Sequence, residues 1–307
     1  MENRATQPAL SVVIASWSGE EALTRCLESV MPQASTAEVI VAFRGISDLA
    51  ALLGERFPGV RFVRGPADAS VFLLRSLGVH EARGRLIAML EDHSAVCAGW
   101  AEAILTAHAE GKLICGGPIE NDVESSAYDW ALYFVEYGIY MPPMPAGEAS
   151  ILSGVNIAYD RDTLLSCRAV WESVFYETDV NAALARAGHK LQMLPKASVR
   201  SRLRMPFREA MQHLFTGGMH FGEFRKAKLS RLAQWLWLFV SPALPFVLLF
   251  RIVRLAAARQ PARVSKIILG LPYLLLLLIA WSAGEAASYA RTSRPRPVAP
   301  KAEVSEA

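Results

Sequence analysis

Short apolar runs alternate with segments of helical periodicity over residues 10–109. Four of the runs have the length and composition of buried strands: Leu10–Ala15, Val39–Ala42, Val60–Val63 and Leu86–Leu90. Apolar residues recur at helical spacing between and after these runs, in residues 18–30, 49–57, 70–82 and 99–109. This alternation predicts an α/β fold with a mostly parallel sheet and helices on both of its faces.

Such a sheet binds ligands at the carboxyl ends of its strands. The loops after Ala15, Ala42 and Leu90 therefore matter by position. In the first loop, Ser18 and Glu21 have the spacing of a capping box, which predicts that the Ser18 side chain caps the first helix.

The pattern is less regular beyond residue 110. We predict helices over Tyr128–Tyr140, 174–188 and 206–230, the last of them basic and amphipathic, and a strand over Lys190–Leu194. The prolines that follow Arg291 predict a disordered tail over residues 291–307.

Two stretches near the C-terminus contain no charged residue and predict membrane helices. Leu232–Phe250 and Ile267–Gly284 have 19 and 18 residues, close to the roughly 20 that a helix needs to cross a bilayer. Trp and Tyr residues near the ends of the stretches suit the bilayer interface. A buried core helix is the alternative, and the arginines that flank both stretches argue against it.

Basic residues are clustered around these stretches, although the whole chain has a net charge of only +3. One cluster precedes the first stretch and another separates the two: Arg225, Lys226, Lys228 and Arg231, then Arg251, Arg254, Arg259, Arg263 and Lys266. This placement indicates a membrane with anionic lipid head groups, and no nucleic acid, as the partner. Because both flanks of the first stretch are basic, two topologies stay open, a hairpin with a basic outer loop or a re-entrant first segment.

The cysteines indicate a reducing compartment, and the apolar run at the N-terminus predicts a strand. The four cysteines lack the paired spacing of a metal site and predict buried thiols in a reducing compartment. The N-terminal apolar run is short and is followed at once by helix-start signals, so we interpret it as a strand rather than a signal peptide.

Glu91, Asp92 and His93 are the best candidates for a chemical site. They directly follow a strand that is too apolar to be exposed, at the end of the sheet where ligands bind. Carboxylate oxygens in such a loop can bind a divalent cation. In a group-transfer reaction whose leaving group is a diphosphate, such a cation neutralises the charge of that leaving group. A solvated turn after the strand is the alternative, to which spacing alone gives equal weight.

Two further groups of residues are weaker candidates. Glu177 and Asp179 begin the 174–188 helix, where a carboxylate can act as general base towards a hydroxyl, although the helix dipole alone also favours acidic residues there. Gly154-Val-Asn156 lies in a loop before an apolar patch and marks either backbone close to a ligand or an ordinary turn.

The order of these motifs resembles the family 2 glycosyltransferases, whose catalytic domain has the nucleotide-diphospho-sugar-binding GT-A fold. The most specific match is the block of Arg75-Ser-Leu-Gly78, Ala82-Arg-Gly84 and Leu86–His93, which is similar to the family's Arg-Asn-x-Gly, Ala-x-Gly, apolar strand and acidic triplet. Leu10–Leu27 looks like the family's opening segment, and Tyr176-Glu-Thr-Asp179 resembles the segment that carries its catalytic base.

This resemblance, which covers roughly residues 8–225, implies roles for the matching residues. It implies a catalytic base at Glu177, with Asp179 beside it, and divalent-metal ligands at Glu91 and His93. Acceptor contacts are implied for Gly154 and Asn156. Contacts with a nucleotide-sugar donor are implied for a larger group: Ser16, Trp17, Ser18, Glu20, Arg75, Glu91 and Asp92.

The chain also departs from the family pattern. The family ends its second strand with Asp-Asp-Gly-Ser, and one Asp of this motif contacts the nucleotide base. This chain has Phe43-Arg44-Gly45 at the same place, so the identity of the nucleotide stays open. His93 replaces an Asp, and its imidazole brings Mn²⁺ into consideration beside Mg²⁺. The Gln-x-x-Arg-Trp motif of processive synthases is absent near Gln212, which implies transfer of a single sugar.

Together these features predict a membrane-anchored, inverting, non-processive glycosyltransferase that transfers a sugar to a lipid-linked or cell-envelope glycan. We expect a cytosolic catalytic domain over 1–205, a basic interfacial segment over 206–231 and two segments within 232–290 in a bacterial inner membrane. One alternative is a scaffold or binding protein that has kept the fold and lost catalysis, which the departures at Arg44 and His93 favour. A nucleotidyltransferase acting on sugar phosphates is a weaker alternative, because its first loop should be basic and Gly-rich and residues 16–21 are acidic.

Overall fold

Every residue of the first predicted strand is buried in the computed structural model. The structure describes residues 7–46, 48–123, 126–226 and 229–291. Lys228 and the predicted tail beyond Arg291 therefore lie outside the described residues. The four apolar runs of the N-terminal half all form strands.

The secondary structure elements are numbered in chain order. The strands are β1 (Leu10–Ser16), β2 (Ala37–Arg44), β3 (Val60–Gly65), β4 (Leu86–Glu91), β5 (Ser94–Val96), β6 (Ile114–Gly116), β7 (Ile119–Asn121), β8 (Gly147–Ala149), β9 (Asn156–Asp160), β10 (Leu191–Met193) and β11 (Val199–Ser201). The helices are α1 (Glu20–Val30), α2 (Leu49–Leu53), α3 (Val71–Glu81), α4 (Trp100–Ala109), α5 (Ala127–Tyr137), α6 (Arg161–Leu165), α7 (Arg168–Trp171), α8 (Glu177–Arg186), α9 (Phe207–Lys226), α10 (Arg231–Val240), α11 (Leu244–Arg259) and α12 (Val264–Ala290).

Within the described residues, eight strands form one sheet in the order β3-β2-β1-β4-β9-β6-β10-β8. The first four are parallel, whereas β9 runs antiparallel to β4 and β6, and β8 antiparallel to β10. This mostly parallel sheet, with helices around it, confirms the predicted fold class. Ser16 pairs with Phe43, Arg44 with Gly65 and Ala15 with Glu91. The ends of β1 to β4 thus form one edge, here called the carboxyl edge.

Alternate strand residues build the core on one face of this sheet. Val13 and Met89 belong to an apolar cluster with Val79 of α3 and Leu184 of α8. Strand side chains point to the two faces in turn, so these strand residues share one face. Each buried side chain of this kind contributes about 1.5–3 kcal/mol relative to its exposed state. The cluster therefore fixes α3 and α8 against the sheet, and these two helices carry Arg75 and Glu177.

Three local predictions are wrong. The capping box does not form, because Gly19 is the N-cap of α1 and the Ser18 hydroxyl donates to Asp92 instead. The helix predicted over 49–57 ends at Leu53. Asn156 lies in a strand rather than a loop, because β9 inserts between β4 and β6. A second sheet, of order β5-β11-β7 in the described part of the chain, was also not predicted.

The described residues separate into two compact units. The first comprises the described residues up to Asp122 together with Tyr140–Arg202, and it contains both sheets. The second comprises the described residues of Val123–Ile139 and those from Leu203 onward. Helix α5 thus clusters with α9 to α12, although it lies within the segment 1–205 that the sequence analysis assigns to one domain.

Helices α9 and α12 approach closely in the second unit because small residues line their contact. A Cβ at Gly218 would overlap the carbonyl oxygen of Trp281, and one at Gly284 would overlap the carbonyl oxygen of Phe215. Arg225 adds an ion pair across the same contact, 2.8 Å from the buried carboxylate of Glu285. Small residues and one ion pair therefore hold α12 along α9.

Two segments of the second unit are long and apolar enough to cross a membrane, by length and composition alone: Arg231–Arg259 and Pro261–Ala290. A 3₁₀ turn, Ser241–Ala243, separates α10 from α11 inside the first segment. Only 11% of the most apolar part of the first segment is buried, against 44% of that of the second. The first segment therefore exposes a wide apolar surface, with Trp235 and Phe239 among its exposed side chains.

Candidate functional site

Asp92 ties the turn after β1 to the end of β4. Its buried carboxylate accepts hydrogen bonds from the hydroxyls of Ser16 (2.9 Å) and Ser18 (2.8 Å) and from the backbone N–H groups of Trp17 (2.8 Å) and Ser18 (2.7 Å). Burial raises the pKa of Asp92, while His93 and the hydrogen bonds from Ser18 and Ser16 oppose that shift. The carboxylate therefore clamps the Ser16–Ser18 turn.

Glu91 shares its carboxylate between two donors. Trp17 Nε1 donates to Oε2 at 2.9 Å, and Arg75 Nη2 donates to Oε1. Burial alone would raise the pKa of Glu91, but the charges of Arg75 and His93 and the two hydrogen bonds lower it below its ordinary value. Glu91 is therefore held as a carboxylate at the carboxyl edge.

Arg75 bridges Glu91 to Glu177. Its Nη1 donates to Oε2 of Glu177 at 2.6 Å while Nη2 binds Glu91, and the residue is 3% exposed. Burial opposes the charge of Arg75, but Glu177 and Glu91 raise its pKa above the ordinary value. The guanidinium is thus a fixed positive charge between two acidic side chains.

A contact between aromatic rings brings Arg75 and Glu177 together. Phe72 precedes Arg75 by almost one turn of α3 and stacks on Tyr176, with ring centroids 4.1 Å apart. The carbonyl of Phe72 also accepts the N–H of Phe175 at 3.0 Å. Since Tyr176 directly precedes α8, these contacts fix the first turn of α8, where Glu177 lies.

Gly154 and Asn156, the predicted acceptor contacts, have different surroundings. A Cβ at Gly154 would lie 2.6–2.8 Å from the guanidinium atoms of Arg75, so this position makes room for Arg75. Asn156 is buried, accepts from Trp100 Nε1 at 2.9 Å and donates to the carbonyl of Ala197 at 2.8 Å. Its amide therefore joins separate segments of the first unit.

His93 is buried beside Trp17, with ring centroids 5.9 Å apart. Its Nδ1 lies 3.6 Å from Oε2 of Glu91. The carbonyl of His93 accepts hydrogen bonds from Arg25 Nη2 at 2.6 Å and from the N–H of Arg202 at 2.8 Å. Arg25 and Arg202 could not be predicted as partners of His93, because a hydrogen bond to a backbone carbonyl leaves no pattern in the residue types.

The pair of Glu91 and His93 has a separation that fits a divalent ion. Two atoms that bind one ion at about 2.1–2.2 Å lie about 3.0 Å apart at an octahedral angle and about 3.6 Å apart at a tetrahedral one. Oε2 of Glu91 and Nδ1 of His93 are 3.6 Å apart, at the upper end of this range. Among the described residues, no group of three or more His, Cys, Asp or Glu side chains could hold a metal ion. An ion at this pair would take its other ligands from water or from a bound diphosphate.

The structure brings most of the predicted site residues together. Contacts join nine of them at the carboxyl edge: Ser16, Trp17, Ser18, Arg75, Glu91, Asp92, His93, Gly154 and Glu177. Of the others, Glu20 is exposed at the start of α1, and Asp179 is half-buried two residues after Glu177. Asn156 belongs to the buried contacts with Trp100 and Ala197.

Comparison with known proteins identifies a family and a fold. The profile of glycosyl transferase family 2 matches residues 11–172, slightly more than half of the chain. The mannosyltransferase PcManGT from Pyrobaculum calidifontis, in complex with GDP-Man and Mn²⁺, shares the fold with a TM-score of 0.57 and 14% identity, over 92% of this chain and 87% of that one. GalNAc-T7 with UDP, GalNAc and Mn²⁺ has a TM-score of 0.48 at 16% identity, over 66% of this chain and 45% of that one. No curated protein sequence gives a significant match.

Proposed function

Because the chain belongs to glycosyl transferase family 2, it is a glycosyltransferase, and we propose that it transfers a sugar, with inversion, from a nucleotide-sugar to a hydroxyl group. In this proposal the donor lies on the carboxyl edge, next to the Ser16–Ser18 turn and Glu91. The acceptor is a lipid-linked or cell-envelope glycan, and each encounter transfers one sugar.

The bridge formed by Arg75 carries this proposal. Inverting transfer needs a general base on the face of the sugar opposite the leaving diphosphate. Such a base lies close to the donor sugar and away from the diphosphate. Glu91 ends the strand beside the proposed donor, and Glu177 begins a separate helix. One buried guanidinium binds both carboxylates, so Glu177 is held at a fixed short distance from the donor side.

Glu177 is the proposed general base. Arg75 engages Oε2, and the side chain is 23% exposed, so Oε1 can receive the proton of an incoming hydroxyl. As the acceptor oxygen bonds to the anomeric carbon, the bond between that carbon and the diphosphate oxygen breaks. The hydroxyl proton passes to Glu177, and the bonding electrons leave with the diphosphate.

The residues at the end of β4 prepare the donor side. Glu91 and His93 are the proposed ligands of a divalent ion, Mn²⁺ or Mg²⁺, which when bound neutralises the leaving diphosphate. The presence of GDP-Man and Mn²⁺ in the PcManGT structure supports this part of the proposal. We assign Asp92 as a positioning residue, because its carboxylate already accepts four hydrogen bonds from the Ser16–Ser18 turn.

We also propose that the second unit anchors the enzyme to a membrane. The uncharged stretch Leu232–Phe250 exposes large side chains such as Trp235 and Phe239, and exposed Arg251 and Arg254 follow it. An apolar surface next to basic residues suits the hydrocarbon and head-group layers of an anionic bilayer. A membrane location brings the enzyme close to a lipid-linked acceptor.

A screen of nucleotide-sugars with the full-length protein in detergent tests the proposal. We expect one donor to raise the unfolding temperature and to be hydrolysed in the presence of Mn²⁺ or Mg²⁺, and removal of the metal with EDTA to lower both effects. If no nucleotide-sugar stabilises the protein or is hydrolysed, the second candidate is favoured, a membrane scaffold that has kept the fold and lost catalysis. The unusual Arg44 and His93 are the observations on its side.

A further inference from the structure

We propose that Arg44 selects the nucleobase of the donor and that the base it selects is guanine. This inference rests on the proposed function, because that function places a nucleotide at the carboxyl edge. It gives a role to a side chain that the proposed mechanism does not use.

Arg44 ends β2 at the carboxyl edge, next to the turn after β1. The register pairs its neighbour Phe43 with Ser16, and Arg44 itself with Gly65. A Cβ at Gly45 would lie 2.8 Å from the carbonyl oxygen of Gly65, so the ends of β2 and β3 approach closely. The side chain of Arg44 therefore extends from a fixed point beside the proposed donor.

The guanidinium of Arg44 is anchored through its inner nitrogen alone. Nε donates to the carbonyl of Ala69 at 2.9 Å, and within the described part of the chain the side chain has no other hydrogen bond and no ion pair. This bond orients the guanidinium plane and leaves Nη1 and Nη2 as a fork of donors. Nearby Arg64 differs, because it pairs with Asp48 at 3.1 Å and lies over the ring of Phe43.

The aromatic side chain of Trp17 packs against a buried cluster that includes Ala69, the hydrogen-bond partner of Arg44. Ala15, Ala42 and Ala69 are buried in one cluster, and half-buried Trp17 packs against it. The hydrogen bond from Trp17 Nε1 to Glu91 fixes the orientation of the indole ring. The half-buried indole of Trp17, held in this orientation, gives a flat nucleobase an aromatic ring on which to stack.

The N–H groups of the Arg44 guanidinium determine which nucleobase fits. A guanidinium has N–H donors and no acceptor, so it binds a base edge that presents two adjacent acceptors. Guanine presents O6 and N7 in this way and forms two parallel hydrogen bonds with arginine. Adenine pairs N7 with a donating amino group, and uracil separates its two carbonyls by an N–H group. Cytosine offers O2 and N3 but a smaller ring for stacking, which makes CDP the main competitor.

Calorimetric titration of the full-length protein in detergent, with Mn²⁺ present, tests this inference with GDP, CDP, UDP, ADP and 7-deaza-GDP. We expect GDP to bind about 10- to 100-fold more tightly than UDP and ADP, which is the discrimination of one bidentate contact. We expect 7-deaza-GDP, which lacks the N7 acceptor, to bind about 10-fold more weakly than GDP. This analogue tests the contact without any change to the protein.

Arg44→Lys keeps the charge and removes the fork. In this variant we expect GDP and 7-deaza-GDP to bind alike, with the affinity for UDP within about threefold of wild type. Arg64→Gln is the matched control and should keep the preference for GDP. Tighter binding of UDP or CDP, or equal binding of GDP and 7-deaza-GDP by the wild type, would overturn the inference and leave the proposed function standing. If no nucleoside diphosphate binds, the proposed function fails and this inference fails with it.

Discussion

Replacing Asp92 by alanine tests whether this residue is a clamp. The substitution removes the acceptor of all four hydrogen bonds from Ser16, Trp17 and Ser18. Two of these donors, the Ser16 hydroxyl and the Trp17 N–H, belong to buried and half-buried residues. Ser18 is exposed, so water can replace the carboxylate at its two donors.

The expected loss of stability follows from these environments. Each buried donor that loses its partner costs about 1–3 kcal/mol, whereas the two donors of Ser18 add little. Burial of the carboxylate is itself unfavourable, as the raised pKa of Asp92 shows, and its removal offsets part of the loss. We therefore expect Asp92→Ala to lower the free energy of unfolding by about 2–4 kcal/mol.

Asp92→Asn separates the clamp from the charge. An amide oxygen at the place of Oδ2 accepts the three hydrogen bonds that Oδ2 accepts now, so we expect a loss below about 1.5 kcal/mol and donor affinity within about threefold of wild type. Urea unfolding and donor titration of the full-length protein measure both quantities. Asp162→Ala, at an exposed position of α6, is the control and should stay within about 0.5 kcal/mol of wild type.

Two results would refute this reasoning. An Asp92→Ala protein within about 1 kcal/mol of wild-type stability would show that the four hydrogen bonds do not hold the turn in place. An Asp92→Asn protein of wild-type stability that no longer binds donor would show that the carboxylate contacts the donor directly.

Three further predictions follow from other contacts. Gly154→Ala should displace the guanidinium of Arg75, destabilise the protein by about 1–3 kcal/mol and slow donor hydrolysis. Gly138→Ala is the control, because its Cβ would meet its nearest atom at 3.7 Å, and it should change neither the stability nor the rate of hydrolysis. Burial raises the pKa of Cys26 and that of Cys115, the latter to about 12, so about one Cys115 in ten thousand is a thiolate at pH 8. Iodoacetamide should therefore modify the half-buried Cys97 first. Mass spectrometry of the native protein, with a urea-unfolded control, measures the order of modification. In vesicles with brominated acyl chains, tryptophan quenching should fall in Trp235→Phe, and unchanged quenching would contradict contact of this segment with lipid.

The sequence predicted the position of the site better than its internal contacts. The apolar run before Glu91 was sufficient to place Glu91-Asp92-His93 at the end of a buried strand, because burial on both faces of a parallel sheet leaves a continuous apolar pattern. The partners of Asp92 lie 74–76 residues earlier in the chain, and no local pattern encodes that distance. Ser18 shows the consequence, because its hydroxyl binds Asp92, in the turn after β4, and does not form the capping box that its spacing predicted.

Other features escaped prediction because their elements are short or their partners are backbone atoms. The strands of the second sheet have three residues each, too few to show an alternating pattern. A turn was predicted at Asn156 because Asn is common in turns. Its side-chain amide instead accepts a hydrogen bond from Trp100 and donates one to the carbonyl of Ala197. The stacking of Phe72 on Tyr176, which places Glu177 next to Arg75, likewise joins residues distant in sequence.

The rate of donor hydrolysis by Glu177→Gln tests the central claim most directly. Glutamine keeps an oxygen for the hydrogen bond from Arg75 but cannot take a proton from the attacking hydroxyl or water, so we expect the rate to fall by about 10²- to 10⁴-fold. Donor affinity should stay within about threefold of wild type, and the matched control Glu172→Gln, at an exposed position, should hydrolyse donor at the wild-type rate. A Glu177→Gln enzyme that hydrolyses donor as fast as the wild type would contradict the account.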